Sequence, residues 1–483
     1  MWQIAAALGA AVGGVALVVL LRSGRAPRPI PAGPEPAVAV APERGAARLA
    51  EALGFPTVSH RDPRRIDEGA FRGLQAWMER AFPRVHEVLE REAFGLTLLY
   101  TWPGRDPALL PVLLMAHQDV VPAAVEDGWT HPPFEGRVVG GFVWGRGALD
   151  MKGSLVGILQ AAEALLEGGF APRRTIVFAF GHDEEVGGAG NRAAADALRR
   201  RGTRLHWVLD EGLAVTEGVI PGLPVPGALI GVAEKGYLSV ELVAEAEGGH
   251  SSIPPSRTAV GALARALARI EENPLPARLD PPIRAMLEAL APFLPLPLRL
   301  ASANLWLFGP LVRARLERRP ATAAALRTTA APTVVQGGER DNVLPDRARA
   351  VLNLRVHPRD TTEGVLEQLR RTAAPLGVTV QPLPGAPRSE PSSLSPMDGP
   401  GYRAVAEAIR AVFPGTAVAP GLVLGGTDSR HYADLAGGVY RFAPFRVGPD
   451  DLKRIHGVDE RVSVANVAEA VRFYASLLQG AAR

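Results

Sequence analysis

The sequence predicts an α/β protein with a central, mostly parallel sheet, an inserted ferredoxin-like α+β domain and an N-terminal transmembrane helix. Three observations predict this architecture. Short apolar runs alternate with helical segments, which is typical of a parallel sheet covered by helices. A middle section instead alternates apolar and polar residues, as half-exposed strands do. The first residues of the chain form one long apolar run.

The N-terminal apolar run is long enough for a membrane helix. Residues 2–21 are apolar apart from Gln3, and a helix of that length spans the ~30 Å hydrocarbon layer. A cleaved signal peptide is the alternative, but no basic residue precedes the run and no clear cleavage site follows it. The basic residues that follow favour a cytoplasmic C-terminal side; they are Arg22, Arg25 and Arg28. We expect residues 1–21 to be a single-pass membrane anchor, on a side that the sequence leaves uncertain.

The remaining chain divides into a linker and two domains. Residues 22–45 are rich in Pro and Ala and predict a semi-extended linker. We expect the larger domain to comprise residues 46–233 and 385–483. Its buried strands are predicted at 109–116, 175–180 and 205–209, and its helices at 154–166 and 465–478.

Residues 234–384 predict the inserted domain. The pattern gives strands at 237–246, 333–337, 348–356 and 377–380, and helices at 258–270 and 365–371. Strand–helix–strand–strand–helix–strand is the ferredoxin-like order. An additional stretch over 275–330 is apolar, but prolines interrupt it too often for a membrane span.

The composition describes a globular protein and excludes several kinds of site. Of 483 residues, 47% are hydrophobic and 21% are charged, which suits more than one packed domain. The formal net charge is only +3, so we expect no nucleic-acid partner. The chain has no cysteine, so disulfides, thiolate metal sites and cysteine nucleophiles are excluded. Any bound metal must therefore be held by His, Asp and Glu.

Acidic residues and histidines follow the predicted strands of the larger domain. The carboxyl ends of parallel strands meet at one edge of the sheet, so we expect these side chains to converge. Two histidines with three carboxylates form a ligand set for two zinc-like ions, and a neighbouring Glu can serve as a base. The candidates are His117, Asp119, Asp150, Glu184, Glu185, Asp210 and His456.

Six motifs give these residues a specific context. They are HQDVVP, GRGALDMKG, GHDEEVGG, EGGHSS, DNVLPD and GGTDSRHY. In this order they resemble the di-zinc metallopeptidase family of aminoacylase, glutamate carboxypeptidase and carboxypeptidase S. The resemblance runs from about residue 46 to the C-terminus and is strongest for the branch of carboxypeptidase S and the N-acyl-amino-acid hydrolases.

The resemblance implies a catalytic domain of the zinc-peptidase type with two Zn²⁺ ions, for which Co²⁺ or Mn²⁺ can substitute. Asp150 resembles the carboxylate that bridges both ions. His117 and Asp210 resemble the other ligands of one ion, and Glu185 and His456 those of the second.

The resemblance also implies the groups that act on water. Glu184 is similar to the general base, and Asp119 to the carboxylate that orients the imidazole of His117. Members of the family hold a cis peptide bond after the bridging aspartate, which corresponds here to Asp150–Met151.

Four further residues resemble substrate contacts. His250 matches a histidine that stabilises the developing oxyanion from the inserted domain of a partner subunit, so the resemblance implies a homodimer. Arg430 resembles the residue that holds the substrate carboxylate, for which a guanidinium fork is suited. Asn342 and Arg355 resemble polar contacts from the inserted domain.

Two classes of function remain open at this point. The first is hydrolysis of an amide bond next to a free C-terminal carboxylate, by a carboxypeptidase or an N-acyl-amino-acid amidohydrolase. The second is a catalytically silent, membrane-anchored protein that binds metal or peptide on the same fold. The intact set of ligands and base favours the enzyme. We also consider that the apolar stretch over 292–311 forms a lip of the site that receives an acyl chain, the alternative being ordinary packing of the domain.

Overall fold

A computed structural model describes residues 2–24, 30–33, 36, 38 and 41–481 of the chain. The residues of the predicted linker that lie outside this description are 25–29, 34, 35, 37, 39 and 40. They include Arg25 and Arg28, which the orientation of the predicted membrane helix relied on. The first helix extends to Gly24 and the second begins at Pro42, so both enter the range predicted as linker.

The strands of the described residues are as follows. They are β1 (Glu90–Phe94), β2 (Thr97–Trp102), β3 (Val112–His117), β4 (Arg137–Val139), β5 (Phe142–Trp144), β6 (Ile176–Gly181), β7 (Trp207–Thr216), β8 (Gly227–Glu234), β9 (Gly236–Glu245), β10 (Gly249–His250), β11 (Thr329–Gln336), β12 (Val343–Leu344), β13 (Arg347–Val356), β14 (Val378–Pro382), β15 (Ala417–Val423), β16 (Val439–Val447) and β17 (Arg461–Ser463).

The α-helices of the described residues follow the same numbering along the chain. They are α1 (Trp2–Gly24), α2 (Pro42–Leu53), α3 (Glu68–Ala81), α4 (Pro83–Val88), α5 (Lys152–Glu167), α6 (Ala189–Arg200), α7 (Ala259–Glu272), α8 (Pro281–Leu290), α9 (Leu296–Ala303), α10 (Leu305–Leu316), α11 (Pro320–Ala324), α12 (Thr362–Ala373), α13 (Pro400–Val412), α14 (Asp451–Arg454) and α15 (Val464–Ala481).

The central sheet of eight strands is mixed rather than mostly parallel. Its order is β1-β2-β6-β3-β7-β16-β8-β15. The pairs from β6 to β16 are parallel, whereas β1, β2 and β6 pair in antiparallel fashion and β8 runs opposite to β7 and β16. The sequence missed the antiparallel pairs because an apolar run predicts a buried strand without giving its direction.

Helices cover the central sheet on both faces, which explains the continuous apolar runs. Alternate residues of β3 enter different cores, because successive side chains of a strand point to opposite faces. Leu114 packs into the larger core with α5 and α15, and Leu113 packs into the core that includes α6. Every residue of β3 and of β6 is buried as a result.

The inserted domain has the predicted strand–helix–strand–strand–helix–strand order. Its antiparallel sheet has the order β11-β13-β9-β14, and α7 and α12 contribute to one core with it. The sheet starts at Gly236 and ends at Pro382, within the predicted limits of 234–384. The additional stretch folds into α8 to α11, and α8 packs near β15 of the larger domain.

The predicted transmembrane helix is not supported. Within the part of the chain that the structure describes, no helix combines the length and the apolar character needed to cross a bilayer.

Candidate active site

Four neighbouring segments bring acidic and histidine side chains to one edge of the central sheet. His117 is the last residue of β3, and Glu184 and Glu185 follow the end of β6 by three and four residues. Asp150 lies in the turn before α5, and His456 lies between α14 and β17. Since β3 and β6 are parallel neighbours, their carboxyl ends place these groups side by side.

These side chains form two groups that share Asp150. One group contains His117, Asp150 and Glu211, and the other contains Asp150, Glu185 and His456, with donor atoms within 4.8 Å of one another. The Nε2 atom of His117 lies 2.9 Å from Asp150 Oδ1, and that of His456 lies 3.1 Å from Asp150 Oδ2. The two oxygens of one carboxylate therefore face the two groups, as a carboxylate shared by two cations requires.

The structure places the Asp210 carboxylate outside both groups, although the resemblance implied that it is a metal ligand. This carboxylate accepts hydrogen bonds from the backbone N–H groups of Ser429 at 2.8 Å and Glu211 at 2.9 Å. Glu211 instead extends to within 3.4 Å of His117 Nε2. Adjacent residues of a strand point to opposite faces, and the register of β7 with β16 shifts just after Asp210. The sequence could not show which of the two carboxylates faces the site.

Asp119 connects the end of β3 to the turn that follows β6. Its carboxylate accepts hydrogen bonds from the backbone N–H groups of Glu184 at 3.2 Å and Glu185 at 3.1 Å. The Nδ1 atom of His117 lies 2.9 Å from the Asp119 backbone oxygen and 3.4 Å from its carboxylate. Asp119 thus contacts both the imidazole and the turn that carries the glutamates, which agrees with a role in orienting them.

Glu460 is a buried carboxylate that the sequence analysis did not single out. It accepts hydrogen bonds from the backbone N–H groups of Gly147, Leu149 and Asp150, at 2.8 to 3.1 Å, and from Arg146 Nη1 at 2.8 Å. Glu460 lies four residues after His456, so it ties the loop of His456 to the loop of Asp150. Its position in HGVDERV, close to the candidate ligand His456, could have indicated this role, because carboxylates near metal ligands often hold those ligands in place.

The backbone around these loops is unusual at the Asp150–Met151 peptide bond and at His456. The peptide bond between Asp150 and Met151 is cis, as the resemblance implied. His456 has a φ of 59°, in the left-handed region that non-glycine residues rarely adopt. Arg146 Nη2 donates a hydrogen bond to the His456 backbone oxygen at 3.2 Å, which helps to hold this conformation.

The electrostatics of the protein groups fit cation binding. Burial and the nearby Glu211 carboxylate raise the pKa of Glu184 well above its usual range. Burial and the charge of Asp150 likewise raise the pKa of Glu211. Hydrogen bonds to Asp150 and Glu185 raise the pKa of His456 to about 10. Buried carboxylates in mutual repulsion, together with imidazoles, form a donor set that divalent cations stabilise.

A cavity of about 730 Å³ opens onto this site. Its lining includes Asp150, Glu184, Glu185, Glu211 and His456. Predicted substrate contacts Arg355 and Arg430 also line it.

The two arginines are held in different ways. Arg430 Nη2 donates a hydrogen bond to the backbone oxygen of Gly187 at 3.1 Å, beside the turn of the two glutamates. The guanidinium of Arg355 lies over the ring of Tyr237, with 4.8 Å between its Cζ atom and the ring centroid. Both groups can therefore offer N–H donors to an anion in the cavity.

His250 and Asn342 do not line the cavity of their own chain among the described residues. His250 lies on the β10–β12 ribbon, which comprises Gly249–His250 and Val343–Leu344, and Asn342 directly precedes β12. The Ser251 N–H donates a hydrogen bond to the Asn342 backbone oxygen at 3.2 Å. The side chains of His250 and Asn342 are exposed.

The hypothesis of an apolar lip at residues 292–311 stays a prediction. These residues form α9 and the first part of α10, and none of them lines the catalytic cavity. The apolar character of a segment does not show whether the segment faces the active site or another surface of the protein.

Comparisons with known proteins agree with this site. Residues 113–480 match the profile of a family described as peptidase family M20/M25/M40. The N-fatty-acyl-amino acid synthase/hydrolase PM20D1.1 of Danio rerio is 41% identical over 433 residues, covering 89% of this chain and 84% of that protein. Carboxypeptidase S of Saccharomyces cerevisiae is 32% identical over 479 residues, covering 88% of this chain and 82% of that protein.

Solved structures match the fold. The M20 family metallo-carboxypeptidase Sso-CP2 of Sulfolobus solfataricus has a TM-score of 0.68 at 16% identity, with 91% of this chain and 99% of that chain covered. Human carnosine dipeptidase 1 has a TM-score of 0.64 at 18% identity, with 91% and 96% covered. The protein is thus a metal-dependent enzyme that hydrolyses amide bonds, and the chain belongs to peptidase family M20/M25/M40.

Proposed function

We propose that the enzyme cleaves the amide bond of N-acyl amino acids by means of two Zn²⁺ ions, with Glu184 as general base. The observation that carries the proposal is the pair of His/carboxylate groups that share Asp150 and open onto one cavity. The relative of 41% identity, which is named for N-fatty-acyl amino acids, favours this substrate class over peptides. C-terminal peptide bonds are the second candidate, because the carboxypeptidase S relative has the same site chemistry.

We assign His117, Asp150 and Glu211 to one ion, and Asp150, Glu185 and His456 to the other. The distances within each group support this assignment. Two divalent cations supply Lewis-acid polarisation of the scissile carbonyl and a lower pKa for the attacking water. The ion itself is proposed as zinc, since imidazole and carboxylate are common zinc ligands.

Glu184 lines the cavity beside both groups without belonging to either, so it is free to take a proton. It accepts the proton of the attacking water and then delivers it to the leaving nitrogen. Asp119 holds the backbone of Glu184 in place during both transfers.

Arg430 is proposed to bind the free carboxylate of the substrate, with Arg355 as a further contact. A fixed guanidinium positions a carboxylate through two parallel hydrogen bonds, which brings the neighbouring amide to the base. The location of Arg430 beside the Gly187 turn supports this role.

We further propose a homodimer in which His250 and Asn342 reach the cavity of the partner. Their exposure at the β10–β12 ribbon, away from the cavity of their own chain, supports this arrangement. Attachment to a membrane through residues 2–21 stays a prediction.

Metal analysis combined with a substrate panel tests the proposal. Purified protein is expected to contain close to two zinc per chain and to turn over N-acyl amino acids faster than dipeptides of the same C-terminal residue. The methyl ester of each substrate is the control, because it lacks the carboxylate that Arg430 binds. Faster turnover of dipeptides would favour the carboxypeptidase, and equal turnover of acid and ester would contradict the role of Arg430.

A further inference from the structure

Helix α10 has an unusual distribution of side chains. Its exposed face carries Trp306, Leu307, Pro310 and Leu311, at the spacing of one helical face, with Trp306 49% and Leu311 68% exposed. Its buried positions include Leu305 and Gly309. A surface helix normally turns its apolar side chains toward the core, so an apolar exposed face indicates a contact outside the domain.

The preceding helix extends this apolar surface. Leu296 and Leu298 of α9 are exposed, and α9 and α10 pack against each other. We name the exposed apolar residues of α9 and α10 the insert face; they are Leu296, Leu298, Trp306, Leu307, Pro310 and Leu311. None of them lines the catalytic cavity, so substrate binding does not account for their exposure.

The end of α1 lies against the same two helices. Asn304 Nδ2, at the junction of α9 and α10, donates hydrogen bonds to the Val19 backbone oxygen at 3.2 Å and to Ser23 Oγ at 3.0 Å. Arg299 Nε donates to the Ser23 backbone oxygen at 3.1 Å. Leu20 and Leu21 of α1, which are close in sequence to this contact, are exposed.

Exposed arginines follow the apolar residues directly. Residues 305–319 contain one acidic residue, Glu317, which pairs with Arg313 at 3.3 Å and with Arg327. The exposed arginines of this segment are Arg313, Arg315, Arg318 and Arg319. A second copy of the chain on this face would add four more exposed arginines of the same sign of charge. An anionic surface neutralises them instead.

We propose that the insert face and the exposed end of α1 form a docking surface for an anionic phospholipid bilayer. The leucines enter the acyl boundary, the Trp306 ring lies at the level of the headgroups, and the arginines bind lipid phosphates. This inference is independent of the reaction, and it holds whether or not α1 crosses the bilayer.

The absence of cysteine from the chain allows a direct test in the full-length protein. Leu311→Cys and a matched control, Val125→Cys, are each labelled with an environment-sensitive fluorophore. Val125 is an exposed apolar residue of the larger domain, 56% exposed, and lies outside the insert face. Both proteins are mixed with vesicles of phosphatidylcholine and phosphatidylglycerol, with and without spin-labelled acyl chains.

We expect the label at 311 to gain intensity severalfold on the vesicles and to be quenched by the spin-labelled lipid, while the label at 125 does neither. Equal responses at the two positions, or no response at 311 with the protein bound, would overturn the proposal. A change at 311 that depends on protein concentration without lipid would also overturn it, because a second copy would then occupy the face.

A charge variant tests the choice of an anionic bilayer. Arg315→Gln, Arg318→Gln and Arg319→Gln, combined in one protein, should weaken the lipid response at 311 about fivefold per arginine. The labelled protein with its native arginines should show the same loss of response when the vesicles contain phosphatidylcholine alone. A lipid response that is insensitive to both changes would contradict the electrostatic part of the proposal, and circular dichroism confirms that the variant is folded.

Discussion

The edge of the central sheet and the β10–β12 ribbon differ in whether one chain brings their predicted site residues to the cavity. At the sheet edge, Asp119 accepts hydrogen bonds from the backbone of the two neighbouring glutamates, and Glu460 accepts them from the backbone of the Asp150 loop. At the ribbon, His250 and Asn342 are exposed, and the hydrogen bonds found there join His250 to Ser252 and Asn342 to Ser251. One chain thus assembles the groups that we propose for metal and water, whereas it leaves His250, which we propose for the oxyanion, outside the lining of its own cavity. The predictions that follow test this contrast, beginning with the largest effect.

Removal of the shared carboxylate should have the largest effect. Asp150→Ala deletes the one residue common to both groups, so both ions should be lost. We expect metal content close to zero by mass spectrometry and no measurable turnover. Full metal content in this variant would refute the shared role.

Glu184→Gln should separate catalysis from metal binding. The variant should retain both ions, because Glu184 belongs to neither group, while kcat falls about 10²–10⁴-fold for want of a base. Glu185→Gln is the matched control, since it is the neighbouring residue and a proposed ligand and should therefore lose metal. Similar metal loss in the two variants would contradict the division of roles.

His250→Ala tests the ribbon. We expect a loss of about 10²–10³-fold in kcat with unchanged metal content, the cost typical of one oxyanion donor. Mixing this variant with Glu184→Gln should restore part of the activity, because one hybrid site would contain both intact residues. If activity stays absent after subunit exchange has been verified, His250 does not act across a dimer.

Glu460→Gln should have a smaller effect on the sheet edge. The change replaces an acceptor of four hydrogen bonds, so the Asp150 and His456 loops should separate slightly and metal affinity should fall about 10–100-fold. Competition with a chelator measures this affinity. Glu469→Gln, which breaks an ion pair with Arg446 elsewhere, is the control for a general loss of stability. Equal metal affinity in the two variants would remove the positioning role.

The sequence by itself determined the family, the α/β fold with its inserted domain, and most of the site. Apolar runs ending in polar residues marked β3 and β6, and the motifs predicted His117, Asp150 and Glu185. The structure brings these together with His456, which was predicted from the resemblance to the family. These features are local: a buried strand needs a run of apolar residues, and its carboxyl end gives the position of the next polar group.

Only the tertiary structure decided the features that depend on direction and on distant partners. The choice of Glu211 over Asp210 follows from strand alternation and a register shift, neither of which a single sequence records. Glu460 became visible through its contacts with a loop more than 300 residues earlier in the chain. The apolar segment after residue 292 was recognised in the sequence, but its distance from the cavity and its contact with α1 arise from the packing of whole domains. Such packing depends on surfaces that form only when separate segments meet, and hydropathy along the chain carries no information about it.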